Sequence, residues 1–299
     1  MSNIIPRVSI ALATYNGAKY LSQLLESLCQ QTLQPFEIVA FDDGSDDNTL
    51  DVLHQFKQQL PITVYVNAEA LGVVRNFKKA VSACRGEYIA FCDQDDVWLP
   101  DKLARSVDAL RKVDGPQPAM VYTDLVVVDD NLNQLASSYW NHRKLKPAKE
   151  SFASLIYGNI VTGCTMTINR AMALEVSRMP DNVLMHDFWI GCIAYGIGQC
   201  SYIERPTILY RQHTSNVTNN DAVTWFTRWS RLSSFLFNRQ QAAQFLHAEI
   251  GQAQSFLLLY GHQLPTAHYK ALNRLIKLQT QWPLVRKWRT FLIKFLHIY

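Results

Sequence analysis

Asp93-Gln94-Asp95-Asp96 directly follows the apolar run Tyr88–Cys92, so its carboxylates project from the end of a rigid strand. Alternate carboxylates in that setting offer hard oxygen ligands to Mg²⁺ or Mn²⁺, ions that take one or two protein carboxylates together with substrate phosphates. The same acids also suit the start of a helix over Val97–Leu110, where the backbone dipole favours negative charge. Two more polar clusters follow strand-like runs: Thr14-Tyr15-Asn16 after Val8–Ala13, and Asp42-Asp43-Gly44-Ser45 after Phe36–Phe41. Farther along, His186-Asp187-Phe188-Trp189 opens a helical run, and Tyr210-Arg211-Gln212-His213 brings a cation and an imidazole together. No GxGxxG follows the first strand, Gly196-Ile197-Gly198 leads only into Gln199-Cys200-Ser201, and no GxxxxGK[ST] loop is present. Phosphates must therefore be held by a metal and side chains. Cys164 has no evident base partner to make it a nucleophile.

The elements that position these groups alternate between two periods. Val8–Ala13, Phe36–Phe41, Ile62–Val66 and Tyr88–Cys92 read as buried strands, separated by helical patterns over Ala18–Gln31, Thr49–Gln59 and Val73–Cys84. This βαβαβαβ order predicts a parallel α/β sheet, in which ligands sit outside the carboxyl ends of the strands. Three polar clusters at successive strand ends would then share one crevice. Beyond Pro100 the pattern is mixed, with a helix over Lys102–Lys112, a strand over Met120–Val128 and a helix over Arg170–Ser177. After Asn220 strands give way to helices over Trp225–Leu236, Gln240–Tyr260, Ala267–Gln279 and Leu284–Tyr299.

A chain of 299 residues, 48% hydrophobic and 18% charged, can bury a core without disulfide or metal staples. Its six scattered cysteines form no CxxC pair and read as reduced core residues of a cytoplasmic protein. Met1–Pro6 carries no secretory pattern, and Ser151–Asn169 is too interrupted for a transmembrane helix. Charge is divided unevenly: residues 1–221 sum to −5 and residues 222–299 to +9. Trp288, Phe291, Leu292, Phe295, Leu296 and Tyr299 share one helical face bordered by Arg286, Lys287, Arg289 and Lys294, and Trp225, Trp229, Leu232 and Phe235 form a second stripe. Such faces suit an anionic membrane surface, or else pack on the catalytic body or a second subunit of an oligomer. Nothing points to nucleic acid.

Together, Val8–Asn16, Asp42–Thr49, Leu71-Gly72-Val73-Val74-Arg75-Asn76 and Phe91–Trp98 resemble family 2 glycosyltransferases, most closely the bacterial rhamnosyltransferase type that builds surface polysaccharides. The resemblance implies the glycosyltransferase A fold: a catalytic domain over 1–220, with a nucleotide-sugar half (1–98) and an acceptor half (99–220), followed here by a basic helical region over 221–299. It implies that Thr14, Tyr15, Asn16, Asp42, Asp43, Arg75 and Asp93 line the nucleotide, Asp42 accepting a base N–H. Mn²⁺ or Mg²⁺ would be held by Asp93, Asp95 and His213, with Asp96 completing the acidic edge and Arg211 near the diphosphate. Asp187 would take the proton from the acceptor hydroxyl, with His186 as an orienting neighbour. The implied reaction is inverting transfer from a nucleoside diphosphate sugar, dTDP-rhamnose or a UDP-hexose, to a saccharide or lipid-linked saccharide. It would take place at the cytoplasmic face of the inner membrane. Two rivals are a sugar-nucleotide pyrophosphorylase, disfavoured by the Gly-poor loop Thr14–Lys19, and a silent nucleotide-sugar-binding subunit, disfavoured by the presence of Asp93, Asp95 and Asp187.

Overall fold

The computed structural model describes residues 6–213 and 247–280. Its centre is a seven-stranded mixed sheet whose first half follows the βαβ pattern: β1 (Val8–Thr14), α1 (Ala18–Cys29), β2 (Glu37–Asp42), α2 (Thr49–Phe56), β3 (Ile62–Val66), α3 (Val73–Ala83) and β4 (Tyr88–Asp93). After β5 (Val97–Trp98) and α4 (Lys102–Leu110), β6 (Ala119–Thr123), β9 (Thr167–Asn169) and β10 (Gln199–Ile203) complete the sheet in the order β10-β6-β9-β4-β1-β2-β3. Alternation along each strand divides the core between two faces. In β4, Ile89 and Phe91 face one cluster, while Tyr88, Ala90 and Cys92 face the other.

Register carries the polar clusters to one edge. Thr14 pairs with Asp42 across β1 and β2, and Ala13 with Asp93 across β1 and β4. β9 runs antiparallel between β4 and β6, so the turn that precedes it, Gly163-Cys164-Thr165, lies at the same carboxyl edge. A smaller sheet, β5-β11-β7-β8, is formed with β7 (Val126–Val128), β8 (Gln134–Ala136) and β11 (Ile208–Arg211). β11 runs antiparallel to β5, which brings Arg211 and His213 back over the acidic loop.

Two expectations are corrected here. The strand expected over Met120–Val128 is broken at Asp124 into β6 and β7, which belong to different sheets. Asp124 makes the break, since its carboxylate accepts bonds from Leu125 N at 2.8 Å, Trp140 N at 3.2 Å and Ser138 Oγ at 2.5 Å. The acids at 93–96 do not cap a helix over Val97–Leu110, because Val97 and Trp98 pair with β11 and α4 begins at Lys102.

Interleaved with the strands of the second half are α5 (Tyr139–Arg143), α6 (Phe152–Leu155), α7 (Arg170–Ser177) and α8 (His186–Gly196). Two further helices, α9 (His247–Tyr260) and α10 (Thr266–Lys277), pack onto them. Phe256 meets Trp189 at 5.3 Å between ring centres, Tyr260 Oη donates to Glu175 at 2.9 Å, and Ile250, Phe256, Leu272 and Leu275 join the larger core cluster. These helices thus share the catalytic body's core. The two tryptophan-bearing stripes fall outside the described residues, and no described helix is long and apolar enough to cross a membrane.

Candidate active site

The first strand end is organised by carboxylates bonded to their own chain. Asp42, fully buried, accepts from Thr14 Oγ1 at 2.8 Å, Ser45 Oγ at 2.6 Å, Ser45 N at 2.8 Å and Gly44 N at 3.1 Å. Asp43 accepts from Asn67 Nδ2 at 2.9 Å, Leu71 N at 2.8 Å and Gly72 N at 2.8 Å, so it fixes the loop leading into α3. Asp42, expected to accept a base N–H, is thus bonded on both oxygens to Thr14 and to the Gly44-Ser45 turn that it shapes. Thr14 is likewise buried, whereas Tyr15 is 54% exposed. Asn16 uses its positive φ of 48° to turn the chain, its N–H donating to Ser45 Oγ at 2.9 Å and its Oδ1 accepting from Asp46 N at 2.9 Å. Arg75 sits in the first turn of α3, half exposed, and pairs with Asp181 at 3.4 Å.

Beside this loop stands the acidic edge. Burial, reinforced by the charges of Asp95 and Asp187, raises the proton affinity of Asp93; burial and the charges of Asp95 and Asp93 do the same to Asp96. His213 Nε2 lies 2.8 Å from Asp95 Oδ2. Asp93, Asp96 and Cys164 each present a ligand atom within 4.8 Å of one another. Concentrated carboxylates whose charges oppose one another, with an imidazole against one of them, fit a hard divalent cation. Asp96 is fully buried with Oδ2 unpartnered, and so backs this edge rather than fronting it. Below it, the fully buried Lys102 Nζ lies 4.0 Å from the Trp98 ring centre, and burial pushes its pKa down to about 8. Burial and the neighbouring carboxylates raise the Cys164 thiol well above its ordinary range, in keeping with a structural thiol.

Near enough for its charge to act on Asp93 stands Asp187, in the first turn of α8. Burial pushes its carboxyl up to about 7, although backbone N–H groups including those of Phe188 and Gly163 pull the other way, and Oδ1 has no partner. Gly163 is required at that point, since a Cβ there would lie 2.8 Å from His186 Nε2. His186 is not the orienting neighbour expected. Its ring packs on Phe77 and Phe91 at 4.3 and 5.6 Å, neither nitrogen has a partner, and burial pushes its pKa down to about 3.

The family model for glycosyl transferase family 2 matches residues 9–176. The chain belongs to this family. An uncharacterized glycosyltransferase of Nostoc is 32% identical over 218 residues, 70% of this chain and 66% of its own length, so the chain spans just under two thirds of that relative. The dTDP-rhamnosyl transferase RfbG of Shigella flexneri is 27% identical over 69% of this chain and 72% of its own. Among solved structures, S. aureus TarS in complex with UDP-GlcNAc superposes with a TM-score of 0.59 at 16% identity, covering 95% of this chain and 89% of that one. A mannosyltransferase from Pyrobaculum calidifontis in complex with GDP-Man and Mn²⁺ gives 0.57 at 18% identity, covering 97% and 75%. At such identities the superpositions establish the glycosyltransferase A fold.

Within this family 2 site, Arg211 takes a different place from the phosphate-facing one expected. It is 1% exposed and donates to the backbone oxygen of Asp95 at 3.0 Å, to the backbone oxygen of Asp130, and to Gln23 Oε1 at 2.6 Å. Its work is to tie β11 to the acidic loop. Sequence reasoning passed over Gln94, whose amide grips Tyr15 from both sides, accepting from its N–H at 2.8 Å and donating to its carbonyl at 2.9 Å. The loop after β1 and the acidic loop are thereby joined. Position alone was the available signal, since Gln94 stands between the two carboxylates Asp93 and Asp95.

Proposed function

We propose that this family 2 chain is an inverting, metal-dependent glycosyltransferase acting on a nucleoside diphosphate sugar, dTDP-rhamnose or a UDP-hexose, in bacterial surface polysaccharide synthesis. The observation that carries the proposal is the closeness of Asp187 to the acidic edge: a carboxylate with one unpartnered oxygen and a pKa near 7 lies near enough for its charge to raise the proton affinity of Asp93. Asp187 accepts the proton of the acceptor hydroxyl while that oxygen bonds to the anomeric carbon and the bond from this carbon to the diphosphate oxygen breaks. One group accepting one proton on the face opposite the leaving diphosphate suffices for inversion. Asp93, Asp95 and His213 would hold Mn²⁺ or Mg²⁺, which when bound neutralises charge developing on the diphosphate. The exposed Tyr15, with Asn16 and Arg75 at the neighbouring strand ends, lies on the donor side. The dTDP-rhamnosyl transfer by which RfbG is named favours a dTDP-rhamnose donor, and the UDP-GlcNAc held by TarS favours a UDP-hexose.

The acceptor is a saccharide or lipid-linked saccharide, and the +9 region over 222–299 with its tryptophan-bearing faces supports peripheral attachment to the cytoplasmic face of the inner membrane. Thermal shift against a panel of nucleotide sugars with Mn²⁺, followed by transfer to saccharide acceptors with the matched donor, tests this reading. A donor that stabilises the protein only with the metal, and yields a product of inverted anomeric configuration, is the expected result. Retention of configuration would overturn the single-base mechanism.

A further inference from the structure

Three separate segments, the start of α1, the turn at Asp130 and the stretch Arg211–His213, meet at one side chain outside the acidic edge. Tyr20, on α1, is 9% exposed. Its hydroxyl donates to Asp130 Oδ1 at 2.8 Å and accepts from Lys19 Nζ at 2.6 Å. The guanidinium carbon of Arg211 lies 4.5 Å from the ring centre, and the His213 imidazole stacks on the ring at 5.0 Å with 26° between planes. Both residues then reach the acidic loop: Arg211 through the Asp95 backbone oxygen at 3.0 Å and His213 through Asp95 Oδ2 at 2.8 Å. One aromatic ring thus supports the main-chain anchor and the side-chain partner of the same aspartate.

This arrangement has a physical purpose. His213 lies two residues past the end of β11, and its imidazole has two side-chain torsions to set. Stacking on a ring that is itself pinned by a carboxylate and a lysine selects the rotamer that places Nε2 against Asp95. Groups that orient a metal ligand without touching the metal typically contribute 10- to 100-fold in affinity. We propose that Tyr20 is a positioning residue that holds His213 at the acidic edge, so that a ring on α1 sets the cation affinity of a site it does not touch. The inference rests on the metal-binding role proposed above for His213.

The test is a double-mutant cycle on the full chain, reading Mn²⁺ affinity from the electron paramagnetic resonance of free Mn²⁺, with UDP and dTDP used in parallel as the companion nucleotide. Tyr20→Leu is expected to weaken Mn²⁺ binding roughly 10- to 100-fold, and Tyr20→Phe, which keeps the ring, to recover most of that loss. His213→Ala should weaken binding as well, and adding Tyr20→Leu to it should cost nothing further. Asp130→Ala, which removes the anchor of the hydroxyl from an exposed turn, should give a smaller loss and keeps the test open if Tyr20→Leu does not fold. If His213→Ala leaves Mn²⁺ affinity unchanged, the ligand role itself is wrong and the inference falls with it. If His213→Ala weakens binding while Tyr20→Leu and Asp130→Ala do not, the ligand role stands and Tyr20 does not position it. Fully additive losses would likewise overturn the proposal, since Tyr20 would then act through another group.

Discussion

Asp187→Asn should cripple turnover and at the same time stabilise the protein. The unpartnered oxygen and enclosed setting of Asp187 push its carboxyl up to about 7 from an ordinary 3.8. Between those two values the folded state holds a proton that the unfolded chain has released, so stability is full below about pH 4 and is lost as pH rises toward 7. The difference corresponds to roughly 4 kcal/mol for a fully enclosed group, and about 2–3 kcal/mol once the partial solvent access of Asp187 is allowed for. An Asn keeps an oxygen to accept from Phe188 and Gly163 but never ionises, so it escapes that penalty. The variant should match the parent near pH 4 and exceed it by about 2–3 kcal/mol at pH 8. Urea unfolding at pH 4 to 8 in EDTA measures this, with turnover assayed in parallel and expected to fall roughly 10²- to 10⁴-fold. A stability difference that does not vary with pH would refute the buried-carboxylate argument. Normal turnover would remove Asp187 as the base even if the stability gain appeared.

Asp95→Asn should sharply reduce Mn²⁺-dependent nucleotide binding, because it removes a charge where a divalent ion must be neutralised; calorimetry with and without Mn²⁺ would show unchanged metal dependence if the assignment is wrong. Gly17→Ala places a Cβ 2.1 Å from Gln94 Oε1 and should break the amide's grip on Tyr15, weakening donor affinity roughly 10-fold by analogy with other losses of an orienting partner. Gln94→Ala should reproduce that loss, and a fall in stability without loss of nucleotide affinity would place the effect elsewhere. Ending the chain near Gln281 should reduce flotation with anionic liposomes, and equal behaviour of both lengths, or insensitivity to salt, would remove the terminal helix as an anchor.

The stretch from Val8 to Asp96 was legible because local rules determine it. Buried strands, helices of period 3.6 and polar residues at strand ends coincide from Val8 to Asp96, and the structure differs there only by a residue or a few at element ends. The second half was harder because its pairings are long-range. Nothing local in Met120–Val128 announces that Asp124 diverts the chain between two sheets, and three-residue β9 carries no periodicity to find. Among the site residues, types were easier to read than environments. Asp42 looks ligand-facing in sequence because it follows a strand, yet the Gly44-Ser45 turn folds back and encloses it. Arg211 and His186 look functional because they are charged or titratable, yet neighbours distant in sequence, Tyr20, Phe77 and Phe91, enclose them.

Those misreadings share a cause that bears on how the site works. A carboxylate edge strong enough to attract a divalent cation repels itself when empty, and the fold must hold it together regardless. The structure meets this with groups that bond around the acids. Arg211 ties down the backbone of Asp95 and Asp130, Lys102 lies below Asp96, and Gln94 fastens the loop to Tyr15. A cationic side chain placed directly on Asp93 would also offset the repulsion, but it would occupy the position proposed above for a metal. Arg211 bonds to backbone oxygens and Lys102 is buried beneath the edge, so neither competes for the front face. Arg211, which looks in the sequence like a group for a ligand, works here to hold the acidic loop together.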